Sequence, residues 1–247
     1  MGEILKTTLI GLFFGTFGTT LGGILGVKLK NLSNKLLSFI LALASGLMTS
    51  IICFDLIPEA LELSNFTNLL IGIGIGIICM IICDIKVQRI FNYNSNLKKK
   101  SNSLLKTGII ISVGLAIHNF PEGLAIGSGF EASVTLGYSL AIAIALHDIP
   151  EGISMAIPMK HGGVKTAKVI IYVILSGITT GLGAFFGAIV GNISTSIISI
   201  CLAFAAGAML YIVSGELIPE YNKLYNGKIS AMGNILGIIL GIINTMI

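Results

Sequence analysis

Two six-residue runs hold the side chains that most readily bind metal ions. One reads His118, Asn119, Phe120, Pro121, Glu122, Gly123, and the other reads His147, Asp148, Ile149, Pro150, Glu151, Gly152. Within each run the histidine and the glutamate are four apart, so on a helix they share a face one turn apart. Asn119 and Asp148 are rotated by about 100° from the histidines and still flank the same glutamates. Two such helices facing each other bring two imidazoles and two carboxylates together. Imidazole plus carboxylate suits Zn²⁺, Fe²⁺, Mn²⁺, Co²⁺, Ni²⁺ or Cd²⁺. Mg²⁺ and Ca²⁺ favour all-oxygen shells. Pro121 and Pro150 withhold a backbone donor, which frees the carbonyls of Ile117 and Leu146 and predicts a kink in each helix. Gly123 and Gly152 permit close helix approach.

The elements that position these runs are apolar. Of the 247 residues, 54% are hydrophobic and only 11% charged, with a mean hydropathy of +0.97, 31 glycines and no tryptophan. Ordinary soluble domains carry about 25% charged residues. The composition excludes a soluble globular domain, a disordered chain, a coiled coil and a nucleic-acid-binding domain. It leaves an all-α polytopic membrane protein. Long apolar runs predict eight transmembrane helices over approximately 4–27, 36–58, 67–86, 107–130, 134–158, 168–190, 195–219 and 229–246. Helices 1–3 occupy 4–86, the metal-binding helices 4 and 5 occupy 107–158, and helices 6–8 occupy 168–246 of a single domain over 1–247. The segment Met1–Lys6 leads straight into the first apolar run without a cleavage pattern, so that span is expected to be retained. The polar, basic stretch 87–106 is the one long connection, and it lacks histidine. Cys53, Cys79, Cys83 and Cys201 all lie in apolar stretches with no zinc-knuckle or redox spacing, and read as small packing residues.

Charge placement orients the chain. Lys6 lies on one side, whereas Lys28, Lys30, Lys35, Lys86, Arg89, Lys98, Lys99, Lys100, Lys106, Lys160, Lys165, Lys168, Lys223 and Lys228 fall in odd-numbered connections. The positive-inside rule makes those connections cytoplasmic, 87–106 included, and both termini extracellular. The location is the cell (inner or plasma) membrane.

The two ends of the chain also align at an offset of 161. Gly22, Gly26, Gly46, Met48, Pro58, Glu59, Gly72 and Gly76 fall on Gly183, Gly187, Gly207, Met209, Pro219, Glu220, Gly233 and Gly237. Asp55-Leu-Ile-Pro-Glu59 falls on Glu216-Leu-Ile-Pro-Glu220. Helices 1–3 therefore repeat as helices 6–8 around a central helix 4–5 pair, and an offset of five helices inverts the second copy. Inverted repeats of this kind build secondary transporters with a midplane site. A charged side chain at the midplane costs about 2.5–3.5 kcal/mol on insertion scales, so five ionisable groups on helices 4 and 5 need something to bind.

These residues resemble the signature of the ZIP (Zrt/Irt-like) divalent-metal transporters, most closely the bacterial branch and its GufA-like relatives. The resemblance covers the eight spans, the variable third loop and the Leu-Ile-Pro-Glu ends of helices 2 and 7. It implies a first metal site of His118, Glu122, His147 and Glu151. It implies a second, adjacent site of Asn119, Asp148, Glu122 and Glu151. Many bacterial members add a helix 6 glutamate to that second site; Thr180 stands at its position here. Three central carboxylates balance one divalent ion better than two, which predicts a strong first site and a weak or absent second one. At the outer end of helix 2, Asp55, Glu59 and Glu62 are placed to gather cations, and Glu216 and Glu220 at the inner end of helix 7 are placed to receive them.

The function so implied is uptake of Zn²⁺, Fe²⁺, Mn²⁺ or Cd²⁺ into the cytoplasm, with the ion as substrate and without an organic cofactor or a phosphate-binding loop. It is not enzymatic. An intramembrane metalloenzyme would need a general base from a third helix, and an organic-substrate carrier would need arginine or a bulkier pocket in its spans. The partners are metal ions and the lipid bilayer, with no nucleic acid; small-residue faces permit a homodimer.

Overall fold

A computed structural model describes residues 2–29, 32–95, 103–161 and 163–246. Among the described residues the chain is all-α, with eight long helices. They are α1 (Gly2–Lys28), α2 (Asn34–Leu63), α3 (Phe66–Ser95), α4 (Ser103–Ala132), α5 (Val134–His161), α6 (Thr166–Gly191), α7 (Thr195–Leu224) and α8 (Lys228–Thr245). All but α4 are, among the described residues, long and apolar enough to cross a membrane. The helices extend into the 87–106 stretch from both sides; residues 96–102, with Lys98, Lys99 and Lys100, lie outside the described residues.

Glycine sorts the helices into two bundles. In the first, a Cβ on Gly22 of α1 would strike the Ile149 carbonyl of α5, and one on Gly183 of α6 would strike the Phe120 carbonyl of α4. In the second, Gly46 of α2 meets the Asn234 carbonyl of α8, and Gly207 of α7 meets the Ile73 carbonyl of α3. Backbone therefore touches backbone within α1, α4, α5 and α6, and again within α2, α3, α7 and α8. Between the bundles, along α4–α7 and α2–α5, the contact is made by side chains. The outer faces of α3 and α8 expose Ile71, Ile75, Ile78, Ile235 and Ile239, which suits lipid.

The offset of 161 is a spatial relation too. Ser38 donates to the Tyr221 carbonyl at 2.7 Å, and its counterpart Ser199 donates to the Ala60 carbonyl at 2.6 Å. A pseudo-two-fold thus exchanges α1–α3 with α6–α8 and α4 with α5.

Each repeat carries one feature that hydropathy does not reveal. Helix α2 widens into a π-turn at Ile51–Leu56, and α7 does so at Val213–Leu217. The Ile57 amide reaches back five residues to the Ile52 carbonyl, and the Ile218 amide to that of Val213. Pro58 and Pro219 follow immediately. A proline ring crowds the carbonyl four residues before it, and a wider turn relieves the clash. The π-turns therefore end at the leucine that opens each Leu-Ile-Pro-Glu segment, whereas α4 and α5 run on as helix through Pro121 and Pro150.

Candidate metal centre

The motif residues of α4 and α5 come together in the middle of the first bundle. Glu122, His147, Asp148 and Glu151 each offer a ligand atom within 4.8 Å of the others, and all four are buried. His147 Nε2 lies 3.0 Å from Glu122 Oε1 and 3.5 Å from Asp148 Oδ1. The backbone aims this ring. Its Nδ1–H donates to the Ala143 carbonyl at 3.2 Å, which turns Nε2 toward the carboxylates. His118 obeys the same rule 29 positions earlier, with Nδ1 2.8 Å from the Gly114 carbonyl.

The rest of the first expected ligand set is arranged differently. His118 Nε2 does not join the cluster; it lies 3.2 Å from Glu216 Oε2 of α7. His118, Glu151, Ser154, Glu216 and Glu220 all line one cavity of about 270 Å³. Glu151 thus faces both the buried cluster and this vestibule. The pairing of His118 with Glu216 crosses from one bundle to the other and is invisible in a count of central carboxylates. Glu216 supplies a fourth.

Asn119 has a role of its own. Its amide donates to the Ser176 carbonyl at 3.0 Å, tying α4 to α6 and leaving Oδ1 on the other side without a hydrogen bond. Thr180, one turn along α6, is fully buried, and its hydroxyl also makes no hydrogen bond. A Cβ on Gly123 would run into the Thr180 carbonyl, so α4 and α6 are in contact at the level of the site.

The expected mouth residues separate. Asp55 is only 6% exposed, and the Thr245 hydroxyl approaches its Oδ2 at 3.5 Å. It is thus closed off, not displayed at a surface. Glu59 is half-buried and Glu62 exposed, so these two remain available at that end. At the opposite end Glu216 is half-buried on the vestibule and Glu220 exposed.

The chemistry of the centre follows from what is missing around it. Among the described residues, Glu122 Oε2, both carboxylate oxygens of Asp148, both of Glu151, and Asn119 Oδ1 are buried without a hydrogen-bond donor. A buried unsatisfied acceptor costs about 1–3 kcal/mol, and more when charged. The cluster of one imidazole and three carboxylates is compatible with a cation.

Comparison with known proteins points the same way. The ZIP Zinc transporter family profile matches residues 93–247, more than half of the chain. The zinc transporter ZupT of Akkermansia muciniphila is 33% identical, over 96% of this chain and 93% of its own length. The chain belongs to the ZIP family.

Other relatives are partial matches. The zinc transporter ZIP11 of Homo sapiens is 40% identical over 59% of this ZIP chain and 44% of its own length. The zinc transporter GufA of Myxococcus xanthus is 33% identical over 57% of this chain and 56% of its own. A ZIP chain with seven or more apolar helices is a multi-pass membrane protein of a transporter family.

Proposed function

We propose that this ZIP protein carries divalent transition-metal ions, Zn²⁺ foremost, across the membrane into the cytoplasm, through the cluster of Glu122, His147, Asp148 and Glu151. The buried acceptors without donors around His147 Nε2 carry this reading. The Zn²⁺ named in the relatives fits a set of one imidazole and three carboxylates.

The positive-inside reading of the basic connections supports a cytoplasmic Glu216 end with both termini outside. In that orientation the structure has its vestibule open inward and its outer end shut over Asp55. An ion held at the cluster leaves through Glu151, which borders both cluster and vestibule, to His118 and Glu216, and then to Glu220. The fourth carboxylate revises the charge balance. One ion at the cluster stays strongly bound, while a second is balanced at His118 and Glu216 and not beside Thr180, which brings no charge. The single domain over 1–247 rearranges by motion between the two glycine-locked bundles.

Metal uptake into proteoliposomes, with Zn²⁺, Cd²⁺, Fe²⁺ and Mn²⁺ in competition, tests the proposal against Glu151→Ala. Saturable uptake lost in the variant supports it. Tight binding without flux in the unaltered protein overturns it.

A further inference from the structure

Among the described residues, polar side-chain links cross between the bundles at opposite ends of the molecule. At the vestibule end it is His118 with Glu216. At the closed end it is Asn244 of α8 with Ser139 of α5. The Asn244 amide donates to the Ser139 hydroxyl oxygen at 2.9 Å and to the Ser139 carbonyl at 3.1 Å. The next residue, Thr245, reaches Asp55 of the α2 π-turn. One short segment therefore ties the end of α8 to the other bundle and covers the buried carboxylate of its own bundle.

The pseudo-two-fold makes this link informative. Asp55 is the counterpart of Glu216, and Glu216 lines the open vestibule. When the opposite end opens, Asp55 takes the lining position. The counterparts of Asn244 and Ser139 are Cys83 and Ile110, a thiol and an alkyl chain that cannot repeat an amide-to-hydroxyl bond. The halves match in glycine, serine and proline positions but differ here. The difference favours closure at the end that carries asparagine.

We propose that Asn244 is a positioning residue for transport, a latch that holds the outer end closed through Ser139 and must release whenever Asp55 is exposed to the outside. The proposal rests on the inward-uptake reading above for the meaning of "outer". The segment is not a metal site: its work is to set how often the outer mouth opens.

The test uses full-length protein in proteoliposomes, with the four native cysteines replaced by serine and Asp55→Cys as the reporter. The measurement is the labelling rate by a membrane-impermeant maleimide added outside. Losing one such hydrogen bond shifts an open–closed balance about 2- to 10-fold, so Asn244→Ala is expected to speed labelling by that factor. Asn244→Gln, which keeps an amide, is expected to recover part of the slow rate. A second variant guards against a merely damaged fold. Ser139→Cys with Asn244→Cys, reporter absent, is oxidised to a disulfide and assayed for Zn²⁺ uptake. Uptake should stop, and return on reduction. Unchanged labelling in Asn244→Ala, or full uptake by the cross-linked protein, overturns the latch. Faster labelling in a protein that moves no metal keeps the latch and removes the transport reading instead.

Discussion

At the scale of single residues the centre is asymmetric although its motifs are not. His147 faces three buried carboxylates, and His118 faces one from another helix. Removing the two histidines should therefore have different effects. His147→Ala is expected to weaken Zn²⁺ binding by more than tenfold in a titration of purified protein, since even outer partners of metal ligands are worth about 10–100-fold. His118→Ala is expected to bind nearly as tightly and to slow uptake, since the proposed exit route runs through His118 and Glu216. Binding is also expected to weaken as pH falls. The ion needs neutral imidazole and ionised carboxylates, so protons compete with it, and affinity at pH 5.5 should fall below that at pH 7.5 in the same titration. The ligand types were legible from the two hexapeptides alone. The His118–Glu216 pairing was not, because it joins positions 118 and 216 on helices whose contact only the tertiary fold decides.

At the scale of elements, glycine sets the spacing on which the centre depends. A Cβ at Gly123 or Gly152 would penetrate the Thr180 or the Thr19 carbonyl, positions again 161 apart. Overpacking of this kind costs about 1–3 kcal/mol. Gly123→Ala and Gly152→Ala are expected to lower the melting temperature in detergent and to weaken metal binding as α4 or α5 is pushed away. Gly74, with open space around it, is the control: Gly74→Ala should leave both unchanged. Hydropathy located the helices well, because an apolar run with few charges has few alternatives in a bilayer. It did not locate the breaks within them. α4 and α5 stay helical through Pro121 and Pro150, and it is before Pro58 and Pro219 that a π-turn with a five-residue amide bond absorbs the clash. Leu-Ile-Pro-Glu was the available signal, since its proline follows each π-turn. Burial of Asp55 was hidden too, since its matched residue Glu216 is half-exposed in the same kind of turn and only the tertiary fold separates them.

At the scale of the whole molecule, the proposed cation site concentrates buried carboxylate oxygens that lack hydrogen-bond donors. Zn²⁺ should therefore stabilise the folded protein as well as pass through it. At about 100 times the dissociation constant the gain is about 2.7 kcal/mol by mass action. Thermal unfolding in detergent is expected to shift upward with Zn²⁺ and to return with a chelator, and Glu122→Ala should not respond. The π-turns carry a different kind of information. A π-turn amounts to one residue inserted into a regular helix, and the two copies lie at the same place in each half, ahead of the same proline and around the same carboxylate. Because the following proline forces the wider turn, the bend recurs where its segment recurs: both halves of the molecule carry the same bend, at the same place beside a carboxylate, from one short stretch of sequence used twice.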